Sequence, residues 1–151
     1  SKINGQVDGV NIVDFIDLDA NAQELINAAI KARNFSYCPY SKFAVGAAIR
    51  MKSGQIFTGC NIENSAFSST ICAERTAMSK AVSEGQKDIE AVAVVAYQES
   101  TFTAPCGVCR QFLAEFAPDK DFTIYLAKPS PTRVFISSLY NLLPERFVPT
   151  F

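Results

Sequence analysis

The chain is organised around Cys72-Ala73-Glu74-Arg75 and a later segment, Pro105-Cys106-Gly107-Val108-Cys109-Arg110-Gln111. Thiolates bind zinc readily, and a catalytic zinc keeps three protein ligands and leaves its fourth position to water. Cys106 and Cys109 are spaced so that both can face one ion, and Cys72 can supply the third ligand from a distant segment. Glu74 lies two residues from a ligand, so its carboxylate can stand beside the metal without binding it. The two segments predict a metal site with a proton-transfer group beside it.

The composition narrows the class of protein. The 151 residues suffice for one domain, and 48% apolar with 19% charged residues is typical of a folded globular chain. The formal net charge of -1 makes a nucleic-acid partner a poor expectation. No apolar run approaches the ~20 residues of a membrane span, and we see no signal peptide. We therefore expect a cytoplasmic protein without membrane contact.

The chain has five cysteines and no histidine. An odd cysteine count without a secretory signal favours reduced thiols and metal binding over a disulfide framework. Because imidazole is absent, the metal site must be all-sulfur, and a carboxylate must carry the proton transfer.

Hydrophobic periodicity predicts strands alternating with helices after an initial hairpin. Residues 1–17 show no clear period, and we expect them to be an N-terminal extension of low order before a single catalytic domain over 18–151. Asp17 or Asp19 can cap a first helix. Further helices are predicted over 71–83, over 106–116 and after a cap at Ser137, and strands over 43–51, 55–62, 91–97, 122–127 and 133–136. This order predicts a three-layer α/β/α domain with a mixed five-stranded sheet.

The predicted metal ligands fall at helix starts, where free N–H groups and the helix dipole favour thiolates. Three thiolates around Zn2+ leave a net charge of about -1, which opposes activation of a bound water. Arg75 is the candidate cation that offsets this charge, and Gln111 is a candidate assistant from the third helix.

A structural zinc site is the alternative, because Cys38 or Cys60 could supply a fourth ligand. Glu74 could also be an ordinary acidic residue that complements a helix dipole. The combination of Glu74 with the proline before Cys106 favours the catalytic interpretation.

These motifs resemble those of the zinc-dependent nucleoside deaminases. Two further segments are similar to the free-nucleoside cytidine deaminases: Cys38-Pro39-Tyr40-Ser41-Lys42-Phe43-Ala44-Val45-Gly46-Ala47 and Gly59-Cys60-Asn61-Ile62-Glu63-Asn64. The resemblance covers about residues 21–147. It implies hydrolytic deamination of cytidine and deoxycytidine to uridine and deoxyuridine with release of ammonia, one Zn2+ per chain, and Glu74 as the proton shuttle.

The resemblance also implies roles for substrate-binding residues. Asn61 and Glu63 would hold the ribose 3′-hydroxyl, Phe43 would contact the base or sugar, and the N–H of Ala73 would reach the base O2. The short, three-cysteine members form homotetramers with shared active sites, in which the residue at Phe147 reaches a neighbouring pocket. The ordinary alternatives are a core aromatic for Phe43, turn residues for Asn61 and Glu63, and a tail folded on its own core for Phe147.

Other functions remain open at this point. A deaminase of a modified nucleoside or of a nucleotide would share the zinc chemistry, as would a polynucleotide cytosine editor, although the latter needs a basic groove. A non-enzymatic zinc module would need neither Glu74 nor the Asn61 and Glu63 pair. A 3′-hydroxyl contact does not distinguish cytidine from deoxycytidine.

Overall fold

The computed structural model describes residues 11–151, which form an α/β domain. The strands are β1 (Ile12–Asp14), β2 (Val45–Met51), β3 (Ile56–Cys60), β4 (Ile89–Ala96), β5 (Thr123–Ala127) and β6 (Arg133–Ser138). The α-helices are α1 (Ala20–Arg33), α2 (Ala73–Ser83), α3 (Gly107–Ala114) and α4 (Leu139–Leu142), and short 3-10 helices span Phe15–Asp17 and Phe67–Ser69.

The strands form one mixed sheet in the order β1-β6-β5-β4-β2-β3. β4 and β5 are parallel, with α3 in the connection between them, and the other neighbouring pairs are antiparallel. The mixed sheet is confirmed, but the count of five strands is wrong, because β1 pairs with the outer edge of β6.

The prediction of low order over residues 1–17 differs from the structure at residues 12–17, which form β1 and the first 3-10 helix. A three-residue strand is too short to show an alternating pattern, and its order comes from pairing with β6 and packing on the core. The amide of Gln23 adds hydrogen bonds to the carbonyls of Phe15 (3.1 Å) and Leu18 (3.1 Å). Residues 1–10 lie outside the described part of the chain.

Helices cover both faces of the sheet, as the three-layer prediction required. On one face α1 buries Leu25, Ile26 and Ala29 against the sheet. On the other face α2, α3 and α4 contribute to a second core cluster that includes Met78 and Leu113. The central strand β4 is buried along most of its length, which explains its nearly continuous apolar sequence.

Two glycines set how closely the helices approach the sheet. A Cβ on Gly46 of β2 would lie 2.1 Å from the carbonyl oxygen of Ala29 in α1. A Cβ on Gly59 of β3 would lie 2.5 Å from the backbone nitrogen of Ala77 and 2.6 Å from the carbonyl oxygen of Ala73, both in α2. Only glycine permits these approaches, and the one at Gly59 brings the first turn of α2 onto the end of β3.

Several element boundaries differ from the sequence prediction by one or two residues. Asp19, one of the two candidates, caps α1 through a hydrogen bond from Ala22 N of 2.8 Å. Ser138 rather than Ser137 caps α4, because β6 continues as far as Ser138. Within residues 11–151, no helix has the length and apolar character that a membrane crossing requires.

Candidate active site

The three predicted metal ligands converge at the starts of α2 and α3. Cys72 is the N-cap of α2, Cys106 is the N-cap of α3, and Cys109 lies in the first turn of α3. Their sulfur atoms all lie within 4.8 Å of one another. Cys109 is fully buried, Cys72 is half-buried and Cys106 is exposed, so the cluster opens to solvent on one side.

The spacing of the sulfurs fits a tetrahedral metal ion. Two thiolates bound tetrahedrally to zinc at ~2.3 Å lie ~3.8 Å apart. The Sγ atoms of Cys72 and Cys106 are 3.8 Å apart without any adjustment. The other two cysteines, Cys38 and Cys60, are not part of the cluster, so the site offers three ligands and an open position, which is typical of catalytic zinc.

Arg75 lies beside the sulfurs, as its predicted role requires. Its Nη2 donates a hydrogen bond of 3.4 Å to Cys72 Sγ. A hydrogen bond from the Cys109 thiol and those from Arg75 and Cys106 lower the pKa of Cys72 to about 5, although burial opposes the change. The same hydrogen bond to Cys72, together with burial, raises the pKa of Cys109. Arg75 thus places a fixed positive charge beside the sulfur of Cys72.

Glu74 occupies the second position of α2 and is only 4% exposed. Burial raises the pKa of this carboxyl to about 7, and the negative charge of Cys72 adds to the increase. Side-chain carboxyls are almost never this buried unless they are paired or functional. Its position directly after Ala73 keeps the carboxyl next to the sulfur cluster.

The segment that contains the predicted ribose-binding residues is joined to the metal site through the backbone. Ile62 and Ile71 form an antiparallel bridge with hydrogen bonds of 2.9 and 3.0 Å. Because Ile71 precedes Cys72, the bridge brings Asn61 and Glu63, the neighbours of Ile62, close to a predicted metal ligand. The loop of residues 61–70 thus returns to the start of α2.

The side chain of Asn61 forms hydrogen bonds to the protein backbone on both sides of its amide group. It is 8% exposed, its Oδ1 accepts from Val45 N (2.9 Å), and its Nδ2 donates to Phe43 O (2.8 Å). A primary amide has two N–H donors, so one remains for another partner. Asn61 therefore fixes the chain that enters β2 and retains one donor.

Glu63 is held on its other side by the turn before β2. One of its carboxylate oxygens accepts from the backbone N–H groups of Tyr40 (3.0 Å) and Ser41 (3.1 Å), and the other accepts from the hydroxyl of Ser41. The Ser41 hydroxyl and these N–H groups lower the pKa of the Glu63 carboxyl. The group is therefore an ionised, preoriented hydrogen-bond acceptor.

Phe43 and Ala73 are two further predicted substrate-binding residues. Phe43 is half-buried, and its backbone is fixed by Ser41 Oγ at its N–H (3.0 Å) and by Asn61 at its carbonyl. The residue before it, Lys42, has a φ of 59°, a left-handed conformation that is uncommon without glycine. Ala73 opens α2, where N–H groups have no helical partner and can donate to a ligand.

Gln111, predicted to assist at the metal from the third helix, makes its side-chain hydrogen bonds to the C-terminal chain. Its Nε2 donates to Phe147 O (3.1 Å), and its Oε1 accepts from Phe147 N (3.2 Å). The amide is used on both sides by the C-terminal chain. The ring of Phe147 remains 68% exposed, so it does not fold into its own core.

Sequence reasoning missed three residues that shape the site. Ser41 orients Glu63, Gly59 admits α2 to the sheet, and Arg110 binds the carbonyl of Pro105 immediately before Cys106. A glycine inside a strand often marks a close backbone approach, so Gly59 could have been found. The contacts of Ser41 and Arg110 are long-range or turn-dependent, and no spacing pattern indicates them.

Comparisons with known proteins agree with this geometry. Residues 19–125 match the family described as the cytidine and deoxycytidylate deaminase zinc-binding region. A probable cytidine deaminase of Dictyostelium discoideum is 46% identical over 130 residues, which are 84% of this chain and 86% of that protein. A cytidine deaminase of Sporosarcina psychrophila is 55% identical over 96 residues, which are 64% of this chain and 70% of that protein.

A solved structure shows the same fold. The crystal structure of cytidine deaminase from Burkholderia pseudomallei superposes with a TM-score of 0.76 at 37% identity, covering 86% of this chain and 100% of that one. The family match spans all of α1 through most of β5, including Glu74 and the three clustered cysteines. The chain therefore belongs to the cytidine and deoxycytidylate deaminase zinc-binding family.

Proposed function

We propose that this protein catalyses the hydrolytic deamination of free cytidine and deoxycytidine to uridine and deoxyuridine, with release of ammonia. The observation that carries the proposal is a nearly inaccessible carboxyl, Glu74, beside three sulfurs spaced for a tetrahedral zinc with one open position. A purely structural zinc site would need a fourth protein ligand and would leave a buried carboxyl unexplained.

The chain's own residues divide the work of the reaction. Bound zinc supplies a Lewis acid that makes water nucleophilic at neutral pH. Glu74 takes a proton from the attacking water and gives it to N3 of the cytosine ring as the water oxygen bonds to C4. Glu74 then takes the remaining proton from the new C4 hydroxyl and delivers it to the exocyclic nitrogen, so that the C4–N4 bond breaks, the C4 carbonyl forms and ammonia leaves. Arg75 holds positive charge against Cys72, which limits the excess negative charge of three thiolates.

The residues around Glu63 favour a free nucleoside over a nucleotide or a polynucleotide. Glu63 is an ionised acceptor that suits a sugar hydroxyl, and the free N–H of Asn61 can complement it. A carboxylate at this place repels a phosphate. The net charge of -1 also provides no basic groove for a nucleic-acid strand.

The experiment is a spectrophotometric assay of deamination with the purified, zinc-loaded protein. The substrates are cytidine, deoxycytidine, dCMP, adenosine and a cytosine-containing oligonucleotide. We expect turnover of the first two and little of the others. Preferential turnover of dCMP or of the oligonucleotide would replace this proposal with the nucleotide or polynucleotide alternative.

We further infer a homotetramer whose active sites are shared between chains. Apolar side chains stay exposed on the segments next to Cys72, among them Tyr37 (55%), Ile62 (42%) and Ile71 (41%), which β-bridges join to one another. Phe147 and Phe151 of the tail are also exposed. Exposed apolar patches mark interaction sites. In a homotetramer, a second copy of the chain would cover these apolar side chains. The exposed ring of Phe147 would then contact the base in a neighbour's pocket.

Mixed oligomers test the sharing. Glu74→Gln subunits keep the Phe147 ring but lack the proton shuttle. Phe147→Ala subunits keep the proton shuttle but have no aromatic ring to contact the base in a neighbouring subunit. Unfolding and refolding the two together should give mixed tetramers more active than the mean of the separate preparations. If mass measurement verifies mixed tetramers but their activity does not exceed that mean, each pocket is built from one chain.

A further inference from the structure

Arg110 connects the metal-binding loop to the C-terminal chain. Its Nε donates to the carbonyl of Pro105 and its Nη1 donates to the carbonyl of Leu142, each at 2.7 Å. Both bonds are part-buried and have a charged donor, which makes them stronger than bonds between neutral groups. A single guanidinium thus binds two segments that are distant in sequence.

Each carbonyl has a particular position. Pro105 precedes Cys106, so the Arg110 bond orients the peptide group that leads into a sulfur ligand. Leu142 is the last residue of α4, where helix carbonyls lack intrahelical partners. Arg110 also follows Cys109 directly, so its backbone is fixed next to a second predicted ligand.

Gln111 makes the next connection along the same helix. Its amide accepts from the N–H and donates to the carbonyl of Phe147, a paired contact like that of a strand neighbour. Between the two anchor points, the guanidinium of Arg146 lies 3.6 Å from the ring centre of Tyr140. Tyr140 in turn donates from its hydroxyl to the carbonyl of Ala117, beyond the end of α3. The segment 142–147 is therefore attached to α3 at two places, Leu142 and Phe147, and through Arg146 and Tyr140 to the chain just beyond the end of α3.

We propose that Arg110 and Gln111 are positioning residues that clasp the segment 142–147 onto α3, so that the helix carrying Cys106 and Cys109 also sets the place of the Phe147 ring. The functional consequence rests on the proposed deamination and on the proposed lending of Phe147. The clasp itself concerns contacts within one chain and can be tested without any activity.

Hydrogen exchange at the Phe147 amide tests the clasp directly. Gln111→Met keeps the length of the side chain and removes both hydrogen bonds, so exchange at Phe147 should become about 10-fold faster. The matched control is Gln23→Met, which also removes bonds from a helix glutamine to backbone carbonyls, at a place far from α3. The control should leave Phe147 exchange unchanged. Equal exchange in the wild-type protein and in Gln111→Met would overturn the proposal, whether or not the protein deaminates cytidine.

A double-mutant cycle tests whether Gln111 acts through Phe147. Gln111→Met should lower kcat/KM for cytidine by about 5-fold while zinc content stays at the wild-type value. In a Phe147→Ala background, Gln111→Met should leave kcat/KM almost unchanged, because the ring that Gln111 positions is already absent. Additive losses would show that Gln111 acts by another route and would refute its role as a positioning residue.

Competition for zinc against a chelator tests the Arg110 connection. Arg110→Met frees the Pro105 carbonyl, so zinc affinity should fall roughly 10- to 100-fold, as for other partners that orient metal ligands. Arg110→Lys keeps the charge and can make only one of the two bonds in this geometry, so its zinc affinity should be intermediate. Exchange at residues 143–147 should rise in the same order. If Arg110→Met has the zinc affinity and the exchange rates of the wild-type protein, the proposed positioning role of Arg110 is refuted.

Discussion

Replacing Gly59 with alanine should disturb the active site by moving a helix. The new Cβ would lie 2.5 Å from the backbone nitrogen of Ala77 and 2.6 Å from the carbonyl oxygen of Ala73. An ordinary contact needs ~3.4 Å, so α2 and β3 would have to separate by roughly 0.9 Å. Backbone atoms cannot rotate away as a side chain can, so the first turn of α2 must move with Cys72 and Glu74.

The expected magnitudes follow from this displacement. Overpacking of a core position typically costs ~1–3 kcal/mol, and in a domain of this size each kcal/mol lowers Tm by about 2–4 °C. A misplacement of ~1 Å at reacting groups can cost ~10²-fold in rate. We therefore expect Tm to fall by roughly 2–12 °C and kcat/KM for cytidine to fall by about 100-fold.

Thermal unfolding and steady-state kinetics measure the two effects, with zinc content determined on the same samples. The matched control is Gly46→Ala, whose Cβ would lie 2.1 Å from the carbonyl oxygen of Ala29. That clash displaces α1, which lies on the opposite face of the sheet and carries none of the site residues. The control should lose comparable stability while its folded fraction keeps near-normal kcat/KM.

Two results would refute the reasoning. If Gly59→Ala unfolds at the wild-type temperature, the close approach of α2 does not constrain the structure. If Gly59→Ala loses stability yet stays within about 2-fold of wild-type kcat/KM, the placement of α2 does not control the chemistry.

Three further predictions concern the metal site itself. Glu74→Gln should retain zinc and lose at least ~10³-fold in kcat, since general acid–base groups contribute ~10²–10⁴-fold; a variant with a tenth of normal turnover would exclude Glu74 from proton transfer. Arg75→Gln removes the donor 3.4 Å from Cys72 Sγ, so zinc should stay bound while kcat falls and its pH profile changes, and an unchanged profile would contradict the charge argument. Cys72→Ser should empty the site by metal analysis, whereas Cys38→Ser and Cys60→Ser should keep about one zinc per chain; loss of zinc in either of the latter would favour a four-ligand structural site.

The candidate metal ligands and the candidate proton shuttle could be proposed from the sequence because their chemistry is local. Cys106 and Cys109 reach one ion through spacing within a single turn, and Glu74 is tied to Cys72 by two steps of the chain. The three layers of the fold could also be predicted from the sequence, because apolar periodicity indicates a helix or strand regardless of its partners. The extra strand escaped notice, since Ile12–Asp14 is ordered by β6 rather than by its own sequence.

The role of Gln111 shows where such local reasoning ends. The sequence predicts Gln111 as an assistant at the metal from the third helix, and because a helix turns by about 100° per residue, residues 109 and 111 face different directions. Gln111 therefore faces the returning C-terminal chain and binds Phe147. Which long-range partner meets a helix face depends on the path of residues far away in the sequence.

The sequence alone identified the candidate ligands, the absence of imidazole, the carboxylate that is the candidate for proton transfer, and the order of strands and helices from α1 onward. Only the tertiary structure decided that the sulfurs lie 3.8 Å apart, that Glu74 is buried, that Glu63 is oriented by Ser41, and that Arg110 joins Pro105 to Leu142. The physical reason is that side-chain chemistry and short spacings are properties of the chain. Burial, hydrogen-bond partners and the resulting pKa values arise only when distant segments meet in the folded protein.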